Sequence, residues 1–272
     1  MLISFDEALA GGPVVAFTCY DLEEAEGVLE AAARREFPVI LLVGAAQFAR
    51  VHGERFVAAL SAYAEHHPAL ACVQLDHVRD LDVIEAAFGL GVGAVMADGS
   101  HLPLGENIAF VAAAADIAVQ HGGGVEAELG GIEGDEDVAR AVSGGRLTDP
   151  DEAQQLVRET GAGCLAVSIG NVHGHYREPP ALRWDILDAV LRQVDVPVSL
   201  HGASGLPLDD VRRAISAGVR KVNLNTELRE AYLVATADAL PGVRAGARLA
   251  DLHDAQVAAV EAVARQKLEL HE

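Results

Sequence analysis

The chain has 272 residues, 51% of them hydrophobic, and a formal net charge of −21. So acidic a balance excludes a nucleic-acid surface, which needs a basic stripe. No apolar stretch reaches the roughly 18–20 residues that cross a bilayer, and MLISFDEALAGG lacks the basic-then-apolar pattern of a signal peptide, so a soluble, cytoplasmic protein with neither membrane nor nucleic-acid partner is expected.

Read along the chain, short apolar runs alternate with amphipathic segments. VVAFTC (14–19) leads into the helical DLEEAEGVLEAAARR, capped by Asp21. PVILLV (38–43) precedes one long amphipathic segment, AQFARVHGERFVAALSAYAEHH. ACVQLDH (71–77), AVMADG (94–99) and GVEAELG (124–130) follow, with LDVIEAAFGLG and NIAFVAAAADIAVQHG between them. Asp149 and Pro150 then open a helix ahead of CLAVSIG (164–170). PVSLHGA (197–203), a helix LDDVRRAISAG with Asp209 as its capping signal, and KVNLNT (221–226) complete the series before a C-terminal helix near 250–268. Near-continuous apolar strands are those covered on both faces, and the helix starts carry the expected caps.

Eight β-then-α units imply one closed α/β barrel, a single (β/α)8 TIM-barrel domain over 1–272. The alternative, an open doubly wound sheet, would show a glycine fingerprint after the first strand, where this chain reads TCYDLEE. The C-terminal helix is left to close the barrel or to contact a partner chain.

Polar residues collect at the carboxyl ends of the strands, where such barrels hold their active sites. His77, His173 and His201 each end an apolar run, in QLDH, GNVHG and SLHGASG, and Asp76 precedes the first. Neutral imidazoles from separate strands can hold a divalent metal with one position open, a catalytic rather than structural arrangement. A single strand-end histidine is more often a hydrogen-bonded core residue; three on one rim beside an aspartate favour metal. His52, His66, His67, His121, His253 and His271 read as solvent-exposed helical residues, and His101 and His175 fall outside the ligand pattern. Cys19, Cys72 and Cys164 show no CxxC spacing and read as buried reduced thiols. HGASG (201–205) and NLNT (223–226) place glycines and hydroxyls where barrel phosphate loops occur. Only Lys221 and Lys267 could form a Schiff base, and Lys267 reads as solvated. Lys221 starts its strand, with Asn223 and Asn225 between it and the rim, so metal chemistry is favoured over an iminium.

On these residues the chain resembles the class II, metal-dependent fructose-bisphosphate/tagatose-bisphosphate aldolases. The resemblance is strongest in QLDH, VMADGSHLPLGENI, VEAELGGIEGDED, AVSIGNVHGHY and LHGASGLPLDDVRRAISAGVRKVNLNTEL. It implies that His77, His173 and His201 bind a catalytic zinc and that Asp76 is the acid/base acting on the aldehyde oxygen. Asp98 and Glu128 resemble the carboxylates of a second divalent metal position, and Glu136 the residue that exchanges the proton of dihydroxyacetone phosphate. Gly174, Arg177, Gly202, Ala203, Ser204, Asn223, Leu224, Asn225 and Thr226 correspond to phosphate and ketose contacts. The resemblance also implies a homodimer or larger homo-oligomer and a glycolytic, sugar-phosphate substrate, and leaves room for a monovalent cation.

This chain departs from the family pattern at Thr18, Tyr20 and Asp21, where an Asn-rich stretch is common, at Gly44 in place of a serine, and at Arg177 in place of lysine. The implied activity is reversible cleavage of a ketose 1,6-bisphosphate, fructose 1,6-bisphosphate first, to dihydroxyacetone phosphate and an aldehyde. Tagatose 1,6-bisphosphate or a deoxy- or sulfo-sugar phosphate would keep the chemistry and change the aldehyde half. A non-catalytic sugar-phosphate-binding barrel and a metal-dependent hydrolase are the readings of other classes.

Overall fold

The computed structural model describes residues 1–132, 145–174, 176 and 181–271. Its elements follow one another as α1 (Phe5–Ala10), β1 (Val14–Thr18), α2 (Leu22–Arg35), β2 (Val39–Gly44), α3 (Ala45–Phe48), α4 (Gly53–His66), β3 (Ala71–Val78), α5 (Leu81–Gly89), β4 (Ala94–Ala97) and α6 (Leu104–His121). They continue as β5 (Gly124–Leu129), α7 (Pro150–Thr160), β6 (Cys164–Val167), α8 (Trp184–Gln193), β7 (Val198–Leu200), α9 (Leu208–Ala217), β8 (Val219–Leu224), α10 (Thr226–Arg244) and α11 (Ala250–Lys267). All eight expected strands are present, each parallel to its neighbours, and β8 pairs with β1 to close the barrel. This is a single (β/α)8 barrel.

The apolar strands serve two cores. Outward residues such as Val15, Phe17, Leu41, Val73 and Val95 pack beneath the helices. Inward ones, Val14, Ala16, Ile40, Leu42, Cys72, Ala94 and Cys164, form a second cluster that Phe5, Ala8 and Leu9 of α1 complete from the amino end. Gly124 starts β5 without a side chain, and a Cβ there would stand 2.6 Å from Phe5. A capping box between Ser4 and Glu7 secures α1 in that position. Above this plug the barrel interior turns polar, with Gln74, Asp76, Glu126, Glu128, Ser199, His201, Lys221 and Asn223 all buried.

Three local expectations are corrected. The segment after β2 is two helices, α3 and α4, broken at Ala49–His52, a tight corner that Gly53 permits, since a Cβ there would stand 2.0 Å from the Phe48 carbonyl oxygen. Asp209 is not the cap of α9: Pro207 holds that position and Asp209 lies in the first turn, where its charge suits the helix dipole. Lys267 is not freely solvated, since its Nζ donates to Glu227 Oε1 at 2.7 Å. The caps at Asp21 and Asp149 form as expected. Helix α11 packs against α2 and α10. No helix of the described residues is long and apolar enough to cross a membrane. The three cysteines are buried and unbridged.

Glu24 of α2 is buried, and that burial pushes its pKa up from 4.5 to about 7 against the hydrogen bond from Tyr20 N. The folded state therefore holds a proton that the unfolded state has released between those two values, so stability falls as pH rises from 4.5 through about 7. A shift of this size corresponds to about 3 kcal/mol. Glu24→Gln should abolish most of that fall, read as the difference in urea unfolding free energy between pH 5 and pH 8. An identical pH slope in wild type and variant would refute it.

Candidate active site

The amino side of the site is built by an irregularity in β3. Alternation along a strand would send Asp76 inward and His77 outward. The β3–β4 register shifts between Leu75 and Val78, and His77 adopts φ +52. An extra residue in the strand re-aims the next side chain, and a non-glycine residue held at positive φ is a strain often stored at functional sites. Both neighbours thereby reach the rim. His173 comes from the loop after β6. Asn171 fixes that loop by accepting from Ile169 N at 2.8 Å and donating to the His201 carbonyl at 3.0 Å.

The three imidazoles converge. Ring centroids are 4.9 Å apart for His77–His173, 5.2 Å for His77–His201 and 5.8 Å for His173–His201. One nitrogen from each lies within 4.8 Å of the others. Burial, together with the neighbouring imidazoles, lowers the His173 pKa well below its ordinary value. Burial also lowers that of His201, against the pull of Glu126. Both rings are thereby favoured in the neutral form that a metal ligand requires. Glu128 Oε2 is buried with no hydrogen-bond partner among the described residues, 3.4 Å from His77 Nδ1. Burial pushes Glu128 up to about 8, with Asp98 adding and His77 opposing. A divalent metal fits this donor set, with three converging imidazoles and an orphaned carboxylate oxygen beside them.

Asp98 is differently placed. Its Oδ2 accepts from Arg79 Nε at 2.9 Å and Nη2 at 2.7 Å, its Oδ1 accepts from Ser100, and His77 Nδ1 is 3.5 Å away. Burial disfavours its charge, but hydrogen bonds from His77, Ser100 and Arg79 outweigh it and hold Asp98 below the usual carboxylate range.

Asp76 is fully buried, its Oδ1 has no hydrogen-bond partner among the described residues, and its Oδ2 lies 3.5 Å from Asn223 Nδ2. His173, Gly174, Gly202, Ser204, Asn223, Asn225 and Thr226 line one small hollow. Gly202 sits at φ +62, and a Cβ there would stand 2.0 Å from the Val172 carbonyl, so only glycine lets the two loops meet. Ser204 Oγ accepts from Asn225 N and Thr226 N at the start of α10. Ala203 and Leu224 point into the apolar core, leaving only their backbone to a ligand. Glu136, Arg177 and His175 lie outside the described residues.

Further residues meet in and around the site through contacts that the sequence alone did not bring together. Lys221 is buried in the barrel interior below the rim, where Nζ donates to Glu126 Oε2 and Asn223 Oδ1, both at 2.7 Å. Glu126 also accepts from Gln74 at 2.6 Å and from Ser199, and its Oε1 is 3.0 Å from His201 Nε2. His67 is not solvent-exposed as expected: its side chain is 10% accessible and faces Glu26 and Glu30. A hollow of about 620 Å³ opens beside His77, lined among others by Arg50, Arg55 and Arg79. Tyr20, a departure from the family pattern, accepts from Asn225 Nδ2 at 2.8 Å.

Comparison with known proteins agrees with this geometry. The family model described as fructose-bisphosphate aldolase class-II matches residues 4–272. The crystal structure of the YdjI aldolase from Escherichia coli K12 is 29% identical, covers 100% of this chain and 97% of its own, and superposes with a TM-score of 0.86. A putative fructose-1,6-bisphosphate aldolase from Coccidioides immitis is 25% identical over 97% of this chain and 93% of its own, with a TM-score of 0.87. The fructose-bisphosphate aldolase of Campylobacter jejuni, at 20% identity over 99% of this chain and 95% of its own, shares the fold with a TM-score of 0.80. The chain therefore belongs to the class II fructose-bisphosphate aldolase family, metal-dependent lyases of small sugar phosphates.

Proposed function

We propose that this aldolase reversibly cleaves a ketose 1,6-bisphosphate, most directly fructose 1,6-bisphosphate, to dihydroxyacetone phosphate and an aldehyde, with zinc at His77, His173 and His201. The observation that carries it is Asp76 Oδ1, a buried carboxylate oxygen with no hydrogen-bond partner at the edge of the three-imidazole cluster. Zinc, when bound, supplies the Lewis acidity that a carbanion beside a ketone requires. Asp76 takes the proton of the C4 hydroxyl during cleavage and returns it to the aldehyde oxygen during condensation. Asn223 Nδ2 offers a donor next to it. The hollow lined by Gly174, Gly202 and the amino end of α10 suits the ketone-side phosphate, because helix amino ends attract anions. Ala203, Ser204, Leu224, Asn225, Thr226 and Arg177 complete that assignment, and Glu136 is assigned the proton exchange on dihydroxyacetone phosphate.

The aldehyde half would face Arg50, Arg55 and Arg79, three arginines beside Glu54 and Asp80 in a chain of charge −21, and this excess of arginine suits an anionic aldehyde. A second divalent ion at Asp98 and Glu128 would have to displace Arg79 from Asp98. The Tyr20–Asn225 contact favours one further reading, a relative with another ketose phosphate, because it brings a chain-specific residue against a ketose contact. A glycolytic role, a cytoplasmic location, a homo-oligomer and one domain over 1–272 belong to the same reading.

The zinc-loaded protein should condense dihydroxyacetone phosphate with glyceraldehyde 3-phosphate faster than with uncharged aldehydes. Condensation with uncharged aldehydes alone would remove the bisphosphate assignment, and condensation with none would favour a binding subunit.

A further inference from the structure

Lys221 is unlike the other cations of the site. It is fully buried, while Arg79, which also reaches the site, is largely exposed. It lies one layer below the rim, on the inward face of β8 two residues before Asn223. A buried ammonium without partners would be very costly, and here it has two, Glu126 and Asn223. Each leads on to a group that the proposed chemistry uses.

Through Glu126 the path runs to His201. Lys221 and Gln74 occupy Oε2, while Ser199 Oγ donates to Oε1. A carboxylate met by these three donors stands as an acceptor only, so the ring nitrogen facing it, Nε2, carries the proton, and Nδ1 keeps its lone pair. A carboxylate behind a ligating histidine commonly fixes the tautomer in this way. Through Asn223 the path runs to Asp76. An amide can present either end to a neighbour, but Lys221 is a donor only, so it binds Oδ1 and turns Nδ2 upward. There Nδ2 lies 3.5 Å from Asp76 Oδ2 and 3.2–3.3 Å from the His201 ring nitrogens.

We propose that Lys221 is a positioning residue: from beneath the site it fixes Glu126 and the Asn223 amide, and so sets the Nε2–H tautomer of His201 and the donor facing Asp76. The inference rests on the reading of His201 as a metal ligand, and its test separates the two.

The measurement is ¹⁵N–¹H NMR of the metal-free full chain, with the His201 signals assigned by their loss in His201→Asn. The wild-type ring should carry its proton on Nε2. The paired variant Lys221→Met/Glu126→Gln removes both buried charges at similar volume, a change tolerated far better than leaving one buried charge unpaired. It should lose the single tautomer and bind zinc about 10–100-fold more weakly in a chelator competition, the usual cost of losing an outer-shell partner. A wild-type His201 protonated on Nδ1 overturns the proposal even if the variant fails to fold. So does a folded variant with wild-type zinc affinity. A wild-type chain with the expected tautomer that takes up no zinc supports the positioning and overturns the metal reading instead.

Discussion

Asp76→Asn should lower kcat for cleavage and condensation by about 10³-fold, within the range of a lost general acid/base, while zinc content and thermal unfolding stay unchanged. The substitution keeps the shape of the side chain. It also sacrifices little native pairing, because among the described residues Oδ1 has no hydrogen-bond partner and Oδ2 has the long contact to Asn223. Exchange of the carbon-bound proton of dihydroxyacetone phosphate with deuterated water should survive, since Asp76 is assigned to the aldehyde oxygen and not to that carbon. Loss of zinc from the variant would make Asp76 a ligand, and loss of exchange together with condensation would place it on the wrong half of the substrate.

The barrel was legible because parallel strands covered on both faces leave continuous apolar runs, and VILLV or CLAV cannot be read otherwise beside amphipathic helices. His173 and His201 were legible as strand-end imidazoles for the same reason. His77 was legible by position, but its reach into the site was not. A strand alternation would turn it away, and neither the bulge nor the positive φ leaves a mark in QLDH. The polar layer below the rim was hidden for a further reason. Gln74, Ser199 and Lys221 each interrupt an apolar run singly, and only the register around the closed barrel shows that all three meet at Glu126. Lys221 was read as starting its strand, whereas it is the third residue of β8, and its pairing with Glu126 depended on a contact 95 residues away. Tyr20 was noticed as a departure, but its hydrogen bond to Asn225 crosses from β1 to β8, a closure that no local pattern records.

Removing the metal should be the most severe change. Stripping it with a chelator should reduce turnover on the order of 10⁴-fold, as several kcal/mol of charge stabilisation are lost, and zinc or cobalt should restore it. His173→Ala should do the same without rescue at moderate zinc, because two imidazoles remain where three converge. The fold should survive both, since the barrel closes through its strands and is plugged from the other end by Phe5 and Leu9. The competing route through an iminium requires a neutral amine open to the ketone. Lys221 is the reverse: although burial acts against its charge, Glu126 and Asp76 raise its pKa, and both of its hydrogen-bonded neighbours lie inside the barrel. Borohydride added with dihydroxyacetone phosphate should therefore leave the protein mass unchanged. A trapped adduct on Lys221, or full turnover in metal-free protein, would replace the metal mechanism, because a charge-paired lysine and a Lewis acid cannot both be the electron sink for the same bond.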